Sequence, residues 1–121
     1  MAKLSEEAKK IIGEVRPAWV ATASKDGKPN VSPRGSFRVL DDEHVIFAEA
    51  GRLYTLSNLQ ENPQLSAIVL DPSTRKGCRI WGRMTEILES GDLFDALSAR
   101  FIARIKTKCV VKVAVEEVMI F

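Results

Sequence analysis

Apolar residues first recur at helical spacing and then switch to short β-like runs. Ala8, Ile11, Ile12 and Val15 lie on one helical face. Ser5 precedes Glu6 and Glu7, which predicts an N-cap with acidic side chains at the positive end of the helix. Pro17 ends this helix, because the residue before proline avoids the α region. From Ala18 onward the pattern is β-like. Trp19 to Ala23 predicts a strand, Lys25-Asp26-Gly27-Lys28 a hairpin turn, and Asn30-Val31-Ser32 the returning strand. Pro33 and Gly35 predict a break or bulge in that strand. Ser36 to Leu40 and Val45 to Ala48 flank a turn at Asp41-Asp42-Glu43. Leu53, Leu56 and Leu59 predict a short amphipathic helix ended by Asn62-Pro63. Strands follow at Gln64 to Leu70 and Cys78 to Leu88, the latter with a possible kink at Gly82. Ser90-Gly91-Asp92 opens a third helix with Leu93, Leu97 and Phe101 in one stripe, joined by Phe94 and Ile105. Val110 to Val115 is the closing strand.

Seven short strands and three short helices in 121 residues predict one mainly β domain over residues 1–121. Turn-linked antiparallel strands favour a closed or nearly closed barrel, because closure removes exposed edges. A net charge of +2 is too small to argue for nucleic acid, but suits a small anionic ligand. With no apolar run near the ~20 residues that span a bilayer, and no apolar leader at the start, neither a membrane nor a nucleic-acid partner is expected. A cytoplasmic location is the expectation. Cys78 and Cys109 lie in apolar β-like runs without C-x-x-C spacing and read as buried thiols.

Most catalytic arrangements are poorly supported. The single histidine, His44, sits beside an acidic turn with no serine or cysteine nucleophile near it, and reads as a solvated turn residue. One histidine and two separate cysteines do not make a metal site. There is no Walker A lysine motif and no G-x-G-x-x-G.

Two segments carry more information. Ser32-Pro33-Arg34-Gly35-Ser36 combines a strand break, hydroxyls and an arginine, which suits a phosphate or a polar ring edge. Taken alone it also reads as a plain bulge. Glu49-Ala50-Gly51-Arg52-Leu53-Tyr54-Thr55 with Asn58 reads as strand end, glycine loop and helix start, a common place for phosphate and equally an ordinary cap. The two segments flank one hairpin, so strand pairing brings their far ends together. Arg100, Arg104, Lys106 and Lys108 form a basic cluster, read as favourable charge at a helix end or as a face for an acidic partner. Trp81 and Trp19 are each core, interface or ring-stacking candidates.

Four stretches together resemble the FMN-binding split-barrel proteins related to pyridoxamine 5′-phosphate oxidase. They are Asp26 to Leu40, Gly51 to Leu59 with Asn62-Pro63, Gly77 to Gly82, and the closing valine-rich strand. The resemblance implies a split β-barrel (a six-stranded antiparallel Greek-key barrel) that binds FMN near the interface of a homodimer. It implies that Ser32, Pro33, Arg34, Gly35 and Ser36 line the isoalloxazine and ribityl chain. Glu49, Ala50 and Gly51 would close over the ring, and Tyr54, Thr55 and Asn58 would lie at the phosphate. Relatives often carry lysine or arginine where this chain has Tyr54, so either Arg52, Arg34 or Arg38 supplies the charge or affinity is lower. The oxidase itself has a further C-terminal segment, so pyridoxamine phosphate oxidation is not expected of this chain. An FMN-dependent redox protein is the first functional expectation. The alternatives are the same barrel holding F420 or haem, and a non-redox module for an acidic partner. Met119, Ile120, Phe121 and Trp81 are the expected interface residues.

Overall fold

The computed structural model describes residues 2–50, 54–101 and 107–121, with the side chains of residues 100 and 101 excepted. Gly51, Arg52, Leu53, Arg104, Ile105 and Lys106 therefore lie outside the described residues, as do the side chains of Arg100 and Phe101. The elements are α1 (Glu6–Glu14), β1 (Ala18–Ala23), β2 (Pro29–Arg34), β3 (Arg38–Asp41) and β4 (His44–Glu49), then α2 (Tyr54–Glu61), β5 (Gln64–Leu70), β6 (Gly77–Leu88), α3 (Asp92–Phe101) and β7 (Cys109–Ile120). All pairings are antiparallel, in one sheet ordered β2-β1-β5-β6-β7-β4-β3. The sheet has seven strands rather than the six implied by the family resemblance, because the four-residue β3 pairs with β4 at one end. Among the described residues no helix is long and apolar enough to cross a membrane.

Alternation sorts the side chains into layers. Val20 of β1, Leu65, Ala67 and Val69 of β5, Cys78 and Ile80 of β6, Val111, Val113 and Val115 of β7, and Val45 and Phe47 of β4 share the main core. The rings of Phe37 and Phe47 stack there with centroids 6.2 Å apart. Ala8 and Ile12 of α1 and Leu56 and Leu59 of α2 join the same core. Helix α1 begins as expected, with Ala8 N donating to Ser5 Oγ at 3.1 Å. Helix α3 covers the opposite face of the β7–β4 region, where Leu97 meets Ile46 and Val110.

The two twelve-residue strands β6 and β7 give the barrel its split shape. The first half of β6 pairs with β5 on its other side, whereas the first half of β7 pairs with β4. Two register shifts fall between these zones, one leaving Glu116 extra on β7 and one leaving Thr85 extra on β6. Each bulge bends and twists the pair, so one continuous ladder can serve two differently directed parts of the sheet. Gly82 lies at the first shift. A Cβ there would approach Val113 Cγ1 to 2.6 Å and the Ala114 carbonyl oxygen to 2.8 Å.

Several elements depart from the sequence expectation. The β2 strand runs unbroken through Pro33, which pairs with Trp19. β2 is an edge strand, with no partner among the described residues on its second side to miss the proline's absent N–H. The break falls one step later, at the turn of Gly35 and Ser36, so the third strand begins at Arg38 instead of Ser36. β7 runs on to Ile120, well past Val115, because its second half pairs with Cys78 to Trp81. His44 opens β4 and is largely covered, with Nδ1 2.8 Å from Asp41 Oδ1, rather than lying solvated in the turn.

The crowding at Gly82 carries a stability prediction. Gly82→Ala should cost about 1–3 kcal/mol, the usual range for overpacking a closed site. Urea denaturation of the two proteins measures it, and equal midpoints would contradict the account of the bulge.

Candidate functional site

The polar residues of β2 form one side of a small cluster. Asn30, Ser32 and Arg34 alternate with exposed Pro29, Val31 and Pro33, and their cross-strand partners are Thr22, Val20 and Ala18. They therefore face the inside of the sheet. The C-terminal end of β4 presents Glu49, which is held by pairing with Cys109 and by Lys108 N donating to its carbonyl at 2.8 Å. The start of α2 presents Thr55.

These three elements meet at Arg34. Its Nη2 donates to Glu49 Oε1 at 2.6 Å, to Glu49 Oε2 at 2.9 Å and to Thr55 Oγ1 at 3.1 Å. Nη1 donates to the Pro33 carbonyl at 2.7 Å. Thr55 Oγ1 reaches Ser32 Oγ at 3.5 Å, and Asn30 Nδ2 donates to the same Ser32 oxygen at 3.2 Å. Glu49 is 3% exposed and Arg34 16%, so the pair is largely withdrawn from water. Among the described residues Arg34 Nε is buried with no hydrogen-bond partner. A buried donor without an acceptor is costly, and here it leaves one edge of the guanidinium unsatisfied.

The remaining expected residues divide clearly. Ser36 is buried and pinned to β4, with Ala48 N donating to its Oγ at 2.8 Å. Gly35 and Ala50 are exposed at the margin of the cluster. Tyr54 is exposed at the start of α2, and Lys28 Nζ lies 5.8 Å from its ring centroid. Lys28 was missed by the sequence reading. Its place in the β1–β2 turn becomes relevant only when the hairpin folds towards α2. Asn58 is buried and donates from Nδ2 to Thr22 Oγ1 at 3.1 Å. Trp81 lies on the outer face of the sheet, three strands from β2, in line with Ser66, Ala21 and Val31. Gly51 and Arg52 lie outside the described residues.

That outer face is rich in apolar side chains. Trp19, Val31, Leu70, Met119 and Phe121 are exposed on it. The Arg79 guanidinium lies 5.9 Å from the Trp81 ring centre and 5.6 Å from that of Phe121. Ile120, expected at an interface, instead packs against the main core, because strand alternation turns it inward.

Other candidate chemistry is absent from the cluster. Both cysteines are free and buried. Burial pushes the Cys78 thiol up to about 11, and burial followed by the charge of Glu49 also raises Cys109, so neither favours a thiolate. Among the described residues no group of three or more His, Cys, Asp or Glu gathers to hold a metal ion. A separate open groove of about 340 Å³, lined by Glu14, Val15, Arg16, Asp71 and Pro72, shares no residue with the cluster.

Removing one half of a covered ion pair strands the other charge. Arg34→Ala should therefore cost about 2–3 kcal/mol, and adding Glu49→Gln to it should recover most of the loss. A thermodynamic cycle by urea denaturation reads both values. Additive losses in the double variant would show that the pair does not act as a unit.

Comparison with known proteins agrees with this architecture. A protein of Methanocaldococcus jannaschii, itself uncharacterized, is 41% identical over 68 residues, which are 54% of this chain and 45% of that protein. The chain thus matches less than half the length of that relative. HupZ of Group A Streptococcus is 28% identical with a TM-score of 0.85, covering 97% of this chain and 93% of that one. An FMN-binding protein of Syntrophomonas wolfei has the same fold at 19% identity and a TM-score of 0.88, covering 97% and 85%. The fold is also that of an F420 reductase and of HutZ, the haem storage protein of Vibrio cholerae, at TM-scores of 0.76 and 0.71. The model of the pyridoxamine 5′-phosphate oxidase family matches residues 4–120, and this chain belongs to that family of split-barrel proteins.

Proposed function

We propose that this protein binds FMN, with the phosphate at the Arg34–Thr55 cluster, and uses it for electron or hydride transfer. The observation that carries this reading is the convergence of Ser32, Arg34 and Thr55 from an edge strand and a helix start. An arginine with an unsatisfied buried N–H, beside two hydroxyls, is a donor set suited to a phosphate. The start of α2 adds main-chain N–H groups and the positive end of a helix dipole. Lys28 adds a further positive charge at the exposed margin. The FMN-binding neighbour of the same fold supports this choice of ligand.

Bound FMN would supply the redox chemistry, as one-electron or hydride steps. The protein's own residues would bind and orient it. The one carboxylate in the cluster is tied to Arg34, and no histidine lies in it, so the cluster offers no free general base for hydrolysis. F420 is the second reading, since it also carries a phosphate and a flat ring, and an F420 reductase shares the fold. His44 is engaged by Asp41, so the haem reading lacks a comparable site observation.

The outer face gives this proposal its quaternary half. Trp19 on β1, Trp81 on β6, Met119 on β7 and Phe121 just beyond it share one face, with β5 between the two tryptophan strands, and exposed apolar surface of this kind marks an interface. A second copy of the chain would cover it, which sets the homodimer interface against the outer side of the strand whose inner side carries Ser32 and Arg34.

Protein purified from an FMN-sufficient host should be yellow, with flavin absorbance near one equivalent per chain. Thr55→Val should weaken FMN about tenfold or more while leaving riboflavin affinity unchanged. Fluorescence titration with FMN, riboflavin and F420 makes the comparison. Colourless protein that ignores added FMN would refute the flavin reading. Sedimentation at micromolar concentration should give a dimer, and Trp19→Glu should give a monomer. A monomeric parent chain would remove the quaternary half.

A further inference from the structure

We infer that Glu49 is an internal anion that competes with an incoming phosphate group for Arg34, and so sets how tightly the cluster holds an anion. The inference deepens the reading above and rests on the cluster being an anion site. Both Glu49 oxygens lie on the single nitrogen Nη2, at 2.6 and 2.9 Å. A carboxylate held fork to fork would engage two guanidinium nitrogens. Here Nη1 gives one N–H to the Pro33 carbonyl, and Nε has no partner among the described residues. The carboxylate therefore takes only part of what the guanidinium can give, and the rest remains for another acceptor.

The two partners are not equally fixed. Glu49 ends a strand paired with β7, and its main chain is tied on both sides by the pairing with Cys109 and by Lys108 N. Arg34 ends an edge strand and is followed by the exposed Gly35. Of the two, Arg34 has the longer and more exposed side chain, 16% against 3%, and is the one placed to meet a ligand. Thr55 already shares Nη2 with Glu49, so an anion beside Thr55 meets the same donor.

Charge explains why this matters. Arg34 and Glu49 together are neutral, so an approaching phosphate meets no net attraction from the pair. If it draws Nη2 away, it leaves a carboxylate that is 3% exposed without its counter-ion. Glutamine at this position keeps the shape and an acceptor oxygen but removes the charge. Glu49→Gln would turn a neutral pair into a net positive site of nearly the same geometry.

The test uses the full chain and inorganic phosphate as the probe, by isothermal titration calorimetry, with FMN and riboflavin in parallel. Glu49→Gln should bind phosphate and FMN at least about tenfold more tightly than the parent, with riboflavin unchanged. Phosphate affinity that is equal or weaker in folded Glu49→Gln overturns the inference, as does a failure of phosphate to bind either protein. If phosphate tightens as expected while both proteins ignore FMN and riboflavin, the inference stands and the flavin reading falls. If FMN binds both proteins equally and phosphate affinity does not rise, the flavin reading stands and the inference falls. Should Glu49→Gln fail to fold, the parent protein decides the matter through the carboxyl carbon resonance of Glu49. Saturating phosphate should shift it, and an unmoved resonance overturns the inference.

Discussion

The ion pair of Arg34 and Glu49 joins parts of the sheet that no backbone ladder joins. β2 and β3 are the two ends of a seven-strand order, and the chain between them is a short turn. Side chains hold that seam. Arg34 reaches from β2 to Glu49 on β4 and to Thr55 on α2, Ser36 takes the main-chain N–H of Ala48, and Arg16 donates to the Phe37 carbonyl at 3.2 Å. A sheet closed in this way has polar groups where a continuous barrel would have a ladder. Those groups are oriented by the fold, and the same orientation gathers donors for a ligand.

Much of this plan was legible in the sequence because it depends on local patterns. The β5 strand follows its apolar run from Gln64 to Leu70, and the Ser5 cap and the Gly82 irregularity are both local signals with a direct physical cause. The expected meeting of the β2 end with the start of α2 is also seen, at Arg34 and Thr55. The errors came from tertiary context. Pro33 breaks a strand only where a second partner strand needs its N–H, and nothing local reveals that β2 lies at an edge. Similarly, β7 continues through Glu116 and Glu117 because a bulge and the β6 partner carry it past two charged residues.

Within the site, sequence reasoning identified residue types but not their partners. Asn58 reads as a donor for a ligand, and one N–H of its amide goes to Thr22, thirty-six positions earlier in the chain. Lys28 looked like a turn residue, yet it sits over Tyr54. Glu49 looked like part of a loop closing over a ring, yet its carboxylate is the counter-ion of Arg34. Each depends on a contact between distant segments, which spacing along the chain does not report.

The two faces of β2 link binding to assembly. Asn30, Ser32 and Arg34 point inward to the polar cluster, while Val31 and Pro33 point outward to the face that carries Trp19 and Trp81. Because side chains alternate with period two, a slip of one residue would exchange the two sets. It would put Arg34 on the apolar face and Pro33 or Gly35 opposite Glu49. The register is held by the β1 partner from Ala18 to Ala23 and by the Ser24–Lys28 main-chain bond at the turn. The residues that fix this hairpin therefore act on the anion cluster and on the apolar face together. A change in the hairpin that altered one face while sparing the other would have to act through side chains, because a backbone shift moves both.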